Sequence, residues 1–333
     1  MARKLLIAVR MNPLPRTTAS KHRSHRILKV LALVALPLLL TACGSSKKTM
    51  PATATTSTSQ PPMPISHHVV IVMEENQTYS TVVGDKANWP NLNQLIASGA
   101  LATNYYANFH GSISDYFMLT TGQYVTHDDA STAVWNVDNI ARRMLAQNVT
   151  FKVYAEGITR GYLGGNTGLY VIRHNPFAML SDVASNPKVA NNVLWPFTQF
   201  ATDVANNSLP DFSFIVPNID DDSHSAPPLQ ADTWLQTEVI NPLTKIPAFQ
   251  SGGDGILIVD FDEAASTDVT DGGGHVAAVF WGPLVKAGYK QSSAILYQHQ
   301  SMLRTIMAAL GLPNPPARAA TAPTMSEFFV QKK

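Results

Sequence analysis

Cysteine is almost absent from this chain. Cys43 is the only one, so no intramolecular disulfide can form. Acidic residues are absent from the first 42 positions, which carry eight Lys or Arg. The apolar run there, Val30 to Ala42 broken only by Pro37, falls short of the ~20 residues that a spanning helix needs. Basic residues before it and small residues after it fit a secretory signal. Leu40-Thr41-Ala42-Cys43 resembles a bacterial lipoprotein processing box. The expectation is a lipoprotein signal peptide over 1–42, lipidation of Cys43, and an exported chain held at the bacterial envelope by a lipid anchor. Without the leader, 16 of the 24 basic residues remain against 23 acidic ones, a balance of −7. That excess argues against nucleic acid and against electrostatic binding to anionic membrane surfaces.

Other absences narrow the chemistry. There is no internal repeat, no glycine-rich phosphate loop, and no Cys or His pair at zinc-finger spacing. The Gly-x-Ser-x-Gly elbow of the α/β hydrolases is missing, because Ile113-Ser114 follows Ser112 where a glycine is required. Asp220-Asp221-Asp222 lacks the spaced ligands and distal Glu of an EF-hand and reads as a solvated acidic turn. Gly272-Gly273-Gly274 opens no helix and reads as a flexible turn. Residues 43–66 hold little that can pack and read as a flexible tether.

What remains is a globular domain over 67–330. Val69 to Met73 is a short Val/Ile-rich run, the mark of a strand buried on both faces, and it ends in Glu74-Glu75-Asn76. Gly255 to Val259 repeats the pattern and runs into Asp260-Phe261-Asp262-Glu263. Further strands are expected at Leu101–Tyr106, Thr150–Glu156, Phe212–Val216 and Val276–Trp281. Helices are expected at Leu92–Ser98, over the apolar stretch from Tyr116, and at Asn136–Gln147, Thr198–Ala205, Thr233–Ile240 and Gln298–Leu310. Such alternation implies an α/β domain, a mainly parallel sheet covered on both faces.

Ligands gather at the carboxyl ends of the strands in such sheets. Glu75, Asn76, Asp262 and Glu263 would therefore meet at one edge and offer oxygen ligands to a divalent metal ion. Ser112, on a polar turn before a helix, would lie between them. A metal-coordinated hydroxyl is one of the few serine nucleophiles able to attack phosphorus. His174, His224, His275 and His299 fall at strand and helix ends, where they would grip phosphate oxygens or protonate a leaving group.

Several ordered motifs then resemble those of one family. Val70 to Asn76 with Gln77-Thr78-Tyr79 resembles the opening Glu-Asn-Arg-Ser-Phe segment of the bacterial phosphoesterases, which include acid phosphatases and phospholipases C. His110-Gly111-Ser112-Ile113-Ser114-Asp115-Tyr116 resembles their His-Pro-Ser-x-Pro-Asn-Tyr segment, and Thr120-Thr121-Gly122 follows it. Tyr154-Ala155-Glu156, His174-Asn175-Pro176-Phe177, Pro210 to Pro217, Asp262-Glu263 and His299 to Arg304 fall in family order. The resemblance covers about residues 67 to 312. It implies an alkaline-phosphatase-like three-layer α/β/α fold, metal ligands at Glu75, Asn76, Ser112, Asp262 and Glu263, and Ser112 as a transiently phosphorylated nucleophile, with Ser114 as rival. His224 then contacts phosphate or leaving group as a catalytic residue, and His110, Asp115, His174 and His299 face the substrate. Asp115 replaces a neutral carboxamide and should weaken phosphate binding if it points inward. The expected substrate is a small phosphate ester or a phospholipid. The expected activity is that of a phosphomonoesterase, with a phospholipase C or a non-catalytic surface-binding lipoprotein as alternatives.

Overall fold

The computed structural model describes residues 60–331. The signal peptide, Cys43 and most of the tether lie outside the described residues. Residues 60–66, read from composition as the end of the tether, are engaged with the domain. Gln60 accepts from the Thr324 N–H at 2.7 Å, and Ser66 donates to the Asp254 carbonyl at 2.6 Å. Among the described residues no helix is long and apolar enough to cross a membrane.

Eight strands form one sheet: β1 His68–Glu74, β2 Ala100–Ala102, β3 Phe151–Ala155, β4 Leu194–Pro196, β5 Phe212–Val216, β6 Gly255–Phe261, β7 Ala278–Trp281 and β8 Tyr289–Lys290. Their spatial order is β4-β3-β5-β1-β6-β7-β2-β8. All neighbours run parallel except β7, which is antiparallel to both β6 and β2. Helices cover both faces, giving an α/β/α sandwich. The central strands β1 and β6 are apolar on both faces because neither face meets water, and every residue from Val69 to Met73 is buried.

Most expected elements recur with ends shifted by a residue or two. The second strand closes at Ala102 instead of Tyr106, and only isolated bridges continue through Tyr105 and Tyr106. The helix expected at Thr233–Ile240 begins at Pro228, and Leu235–Ile240 winds as a π-helical stretch. The short edge strands β4 and β8 have too few residues to show a period, and the sequence reading missed both.

The helix Ser112–Thr121 is buried along its entire length, packing against His299–Ala309 and Ile140–Gln147. Gly111, immediately before it, has φ 125°, a conformation closed to proline. The chain therefore enters this helix differently from the His-Pro-Ser segment it resembles.

A carboxylate and serine site at the strand ends

Strands β1 and β6 are parallel neighbours in a register that pairs Glu74 with Phe261, so Glu75 and Asp262 leave the sheet side by side. The Asp262 N–H donates to the Glu74 carbonyl at 3.0 Å, and the Asn76 N–H donates to Asp262 Oδ1 at 3.1 Å. β5 flanks β1 on its other side and delivers a third acid. The Glu75 N–H donates to the Asp222 carbonyl at 2.8 Å, and Ser223 Oγ donates to the Glu75 carbonyl at 2.8 Å. Three strand ends are thus stitched together, and Glu75, Asp222 and Asp262 are each 0% exposed.

Ser112 opens its helix with Oγ donating to Glu75 Oε2 at 3.0 Å. Asn76 Nδ2 donates to the same oxygen at 3.0 Å. Asn76 holds φ 57°, a left-handed conformation that asparagine tolerates better than most residues. Glu263 turns toward the loop before the helix, where Oε2 accepts from the Gly111 N–H at 2.8 Å and meets His110 Nδ1 at 2.8 Å. The other nitrogen of His110 reaches the Asp268 carbonyl at 2.7 Å, so the ring is held at both ends. Of the five residues expected to hold a metal, Glu75, Asn76, Ser112 and Asp262 are joined by these contacts, and Glu263 is turned to His110 and Gly111. Ser114 points elsewhere, donating to the Thr126 carbonyl at 3.1 Å and meeting His127 at 2.8 Å.

His174 belongs to the acidic cluster. Its Nε2 is 3.0 Å from Glu75 Oε1 and its Nδ1 is 3.2 Å from Asp222 Oδ2, with the ring stacked on Tyr116 at 5.1 Å. Ligand atoms of Glu75, His174 and Asp222 lie within 4.8 Å of one another. Glu75 Oε1, both His174 nitrogens, Asp222 Oδ2 and Asp262 Oδ2 are buried without a properly oriented hydrogen bond among the described residues. Burial, then the charge of Asp222, pushes the Glu75 carboxyl well above the usual carboxylate range. Burial, then the charge of Glu75, does the same to Asp262. Glu263 is raised as well, again chiefly by burial, with the Gly111 N–H and His110 opposing. Several acids crowded out of water with unused lone pairs form a donor set that fits a hard or borderline divalent cation. His174, expected as a substrate contact, is instead buried between Glu75 and Asp222, in a group whose atoms could hold a metal ion.

Two expected substrate contacts are corrected by burial. Asp115 and His299 are both 0% exposed and lie 3.5 Å apart. Asp115 Oδ1 accepts from the Asn108 N–H at 2.8 Å. His299 meets Tyr105 Oη at 2.8 Å and the Asp262 carbonyl at 2.7 Å. Burial alone would lower His299, but the hydrogen bond and charge of Asp260, with the charge of Asp115, push it up to about 9. These groups brace the loop and strand end from behind, and the Asp115 replacement presents no charge to a substrate. The acidic turn is corrected too, since Asp222 is fully buried.

His224 is exposed on the outer side of the cluster, its ring centre 6.1 Å from that of buried His174. Its Nε2 faces Arg173 Nη2 at 3.2 Å and its Nδ1 faces Ser225 Oγ at 3.0 Å. A guanidinium only donates, so Nε2 accepts and the ring is neutral in this arrangement. Burial, outweighing the charge of Asp222, holds His224 below its ordinary value. Sequence reasoning missed Arg173 and Asp129. Asp129 Oδ1 accepts from the Ile113 N–H at 3.0 Å and so caps the helix that carries Ser112. A position beside His174 could have pointed to Arg173, but no local signal marks Asp129, which reaches the helix from a separate loop.

A profile described as the phosphoesterase family matches residues 85–313. A phosphatidylinositol-3-phosphatase of Mycobacterium tuberculosis is 27% identical over 311 residues, covering 92% of this chain and 95% of that protein. A probable acid phosphatase of Kluyveromyces lactis is 27% identical over 255 residues, covering 73% of this chain but 58% of the yeast protein. Among solved structures, a protein of the alkaline phosphatase superfamily from Vibrio parahaemolyticus aligns over 79% of this chain and 72% of its own, with TM-score 0.51 and 15% identity. That degree of likeness concerns the fold.

Proposed function

The chain belongs to the phosphoesterase family and is a hydrolase of phosphoric ester bonds, and from this premise we propose that it is a metal-dependent, acid-phosphatase-like phosphomonoesterase working through a phosphoserine on Ser112. The observation that carries the reading is the 3.0 Å hydrogen bond from Ser112 Oγ to Glu75 Oε2 at a helix start, within a cluster of buried acids.

Glu75, Asn76, Ser112, Asp262 and Glu263 would hold the cation, with His174 as a sixth donor. When bound, the ion supplies a lowered hydroxyl pKa at the nucleophile and charge neutralisation at a phosphoryl oxygen. Ser112 Oγ forms the new P–O bond while its proton passes toward Glu75 Oε2, the ester P–O bond on the opposite side of phosphorus breaks, and the departing oxygen takes a proton from water. Water then attacks phosphorus, returning Ser112 and releasing inorganic phosphate. The amino-terminal end of the Ser112–Thr121 helix favours the negative charge that develops there. His110 keeps Glu263 in place through its 2.8 Å contact.

The substrate is a small phosphate monoester. The mycobacterial relative, which this chain matches over nearly its whole length, favours a phosphorylated lipid head group as a second reading. Export and lipidation at Cys43 rest on the leader sequence alone. Fatty-acid labelling that disappears in Cys43→Ser is the expected result.

The deciding experiment follows hydrolysis of an aryl phosphate with and without chelator, alongside acid-quenched mass spectrometry for phosphate on Ser112. Metal-dependent turnover, trapped phosphoserine and loss of both in Ser112→Ala are expected. Turnover that survives complete metal removal or the Ser112→Ala substitution would overturn the mechanism.

A further inference from the structure

Arg173 is the described arginine with no carboxylate, carbonyl or aromatic-ring partner. Arg142 and Arg143 pair with Asp182 and Asp138. Arg304 donates to the carbonyls of Ala320 and Ala322, while Arg160 and Arg318 lie over the rings of Trp195 and Tyr124. Arg173 has no carboxylate within 4.0 Å among the described residues, although acids surround the site next to it. Its one side-chain partner there is His224 Nε2, at 3.2 Å.

Two links hold the guanidinium beside the cluster. Arg173 is the chain neighbour of His174, whose ring is wedged between Glu75 and Asp222. His224, its hydrogen-bond partner, is itself tied down, its N–H donating to Asp222 Oδ1 at 2.9 Å. The half-buried Arg173 side chain therefore stands beside the cluster without being neutralised by it.

Charge gives this placement a purpose. Glu75, Asp262 and Glu263 together outweigh one divalent cation when ionised, and Asp129 and Asp222 add to the excess nearby. A phosphate monoester carries two further negative charges into that field. A fixed planar cation with unspent N–H groups is the group that admits it, because guanidinium binds phosphate oxygens two at a time.

We propose that Arg173, held in place by His224, binds the non-bridging oxygens of the substrate phosphate and selects the doubly charged monoester over the singly charged diester. This rests on the phosphoesterase reading of the Ser112 site. His224 is then a positioning residue that accepts from the guanidinium, which replaces its expected part as a proton donor.

The test compares Arg173→Ala, Arg173→Gln and Arg173→Lys on an aryl phosphate monoester and the corresponding methyl aryl diester. Metal content is measured by mass spectrometry and thermal stability is followed for each variant. Arg173→Ala is expected to raise KM for the monoester about 10- to 100-fold, the worth of a lost charge-assisted contact. Diester kcat/KM should change less than about threefold, metal content should stay the same, and Arg173→Lys should recover part of the loss. Equal losses on both esters at normal metal content, or an unchanged monoester KM, would sink the proposal. Calorimetry with inorganic phosphate separates this from failure of the underlying mechanism. Should wild type hydrolyse neither ester, phosphate binding lost in Arg173→Gln still supports the clamp, and binding unchanged in that variant overturns it.

Discussion

His174 sits between two buried carboxylates, 3.0 Å from Glu75 and 3.2 Å from Asp222. Its removal takes one donor from the proposed metal site and leaves Asp222 Oδ2 without its neighbour. His174→Ala is expected to weaken metal affinity by about 10- to 100-fold, measured by competition with a metal-sensitive dye, while the far-ultraviolet dichroism stays native. Asp115 gives the opposite pattern. It touches the Asn108 N–H and stands 3.5 Å from His299, with no route to a substrate. Burial is the main cause that pushes its carboxyl up to about 7. Asp115→Asn should leave KM for an aryl phosphate within about twofold and lower stability by about 1 to 3 kcal/mol through the loosened His299 contact, read by urea denaturation. The difference between these residues was invisible along the chain. Both lie near the resemblance motifs, and only the packing of His299–Ala309 against Ser112–Thr121 turns Asp115 inward.

The segment Asn108–Gly111 leads into the helix that opens with Ser112, and a glycine turn supports it from behind. Read as flexible, Gly272-Gly273-Gly274 is in fact pressed against the backbone of that segment. A Cβ on Gly272 would overlap the Asn108 carbonyl, and one on Gly273 would overlap that of Phe109. The run is glycine because two backbones meet there, one of the reasons a glycine is kept in a loop. Gly273→Ala must move the segment, and Ser112 with it. At least a tenfold fall in kcat is expected, with a stability loss of about 1 to 3 kcal/mol. Unchanged kcat with lowered stability would mean that the segment yields without carrying Ser112 along. Strand elements were legible where they were long: β1, β5 and β6 announce themselves by continuous apolar runs. β4 and β8 exist because neighbours are available to pair with, which no window of a few residues reveals.

At the scale of the molecule, two groups of carboxyls respond to pH in opposite directions. Glu75, Asp262 and Glu263 are raised by burial, so the metal-free fold keeps protons on them above the ordinary carboxylate range. Their contribution to stability is present at low pH and is lost as pH rises through the raised values. Bound metal displaces those protons, so its affinity should grow with pH. The chelated protein is therefore expected to melt lower at about pH 8 than at about pH 6, with the gap to the metal-loaded form widening over the same range. A gap that narrows would contradict the cluster as the metal site. Asp203, Asp211 and Asp254 behave the other way. Burial opposes their ionisation, but hydrogen bonds from Lys152, Thr150 and His67 outweigh it and hold them low. Their stabilisation is present at neutral pH and is lost only as pH falls through their depressed values, so acid unfolding should be shared by both forms. Asp211 and Asp254 meet His67 and His68 at the amino-terminal ends of β1, β5 and β6, opposite the site. The sequence by itself determined the sheet class, the strand ends that bear acids, and Ser112, because buried parallel strands and their abrupt polar ends are local patterns that survive any arrangement. Only the tertiary structure decided that β5 lies beside β1 and brings Asp222 to Glu75, that the turn Ile172–His174 carries His174 to the same carboxylates, that Asp115 and His299 face inward, and that Arg173 meets His224 and no carboxylate. Those outcomes depend on which segments become neighbours, and that is fixed by packing of the whole chain.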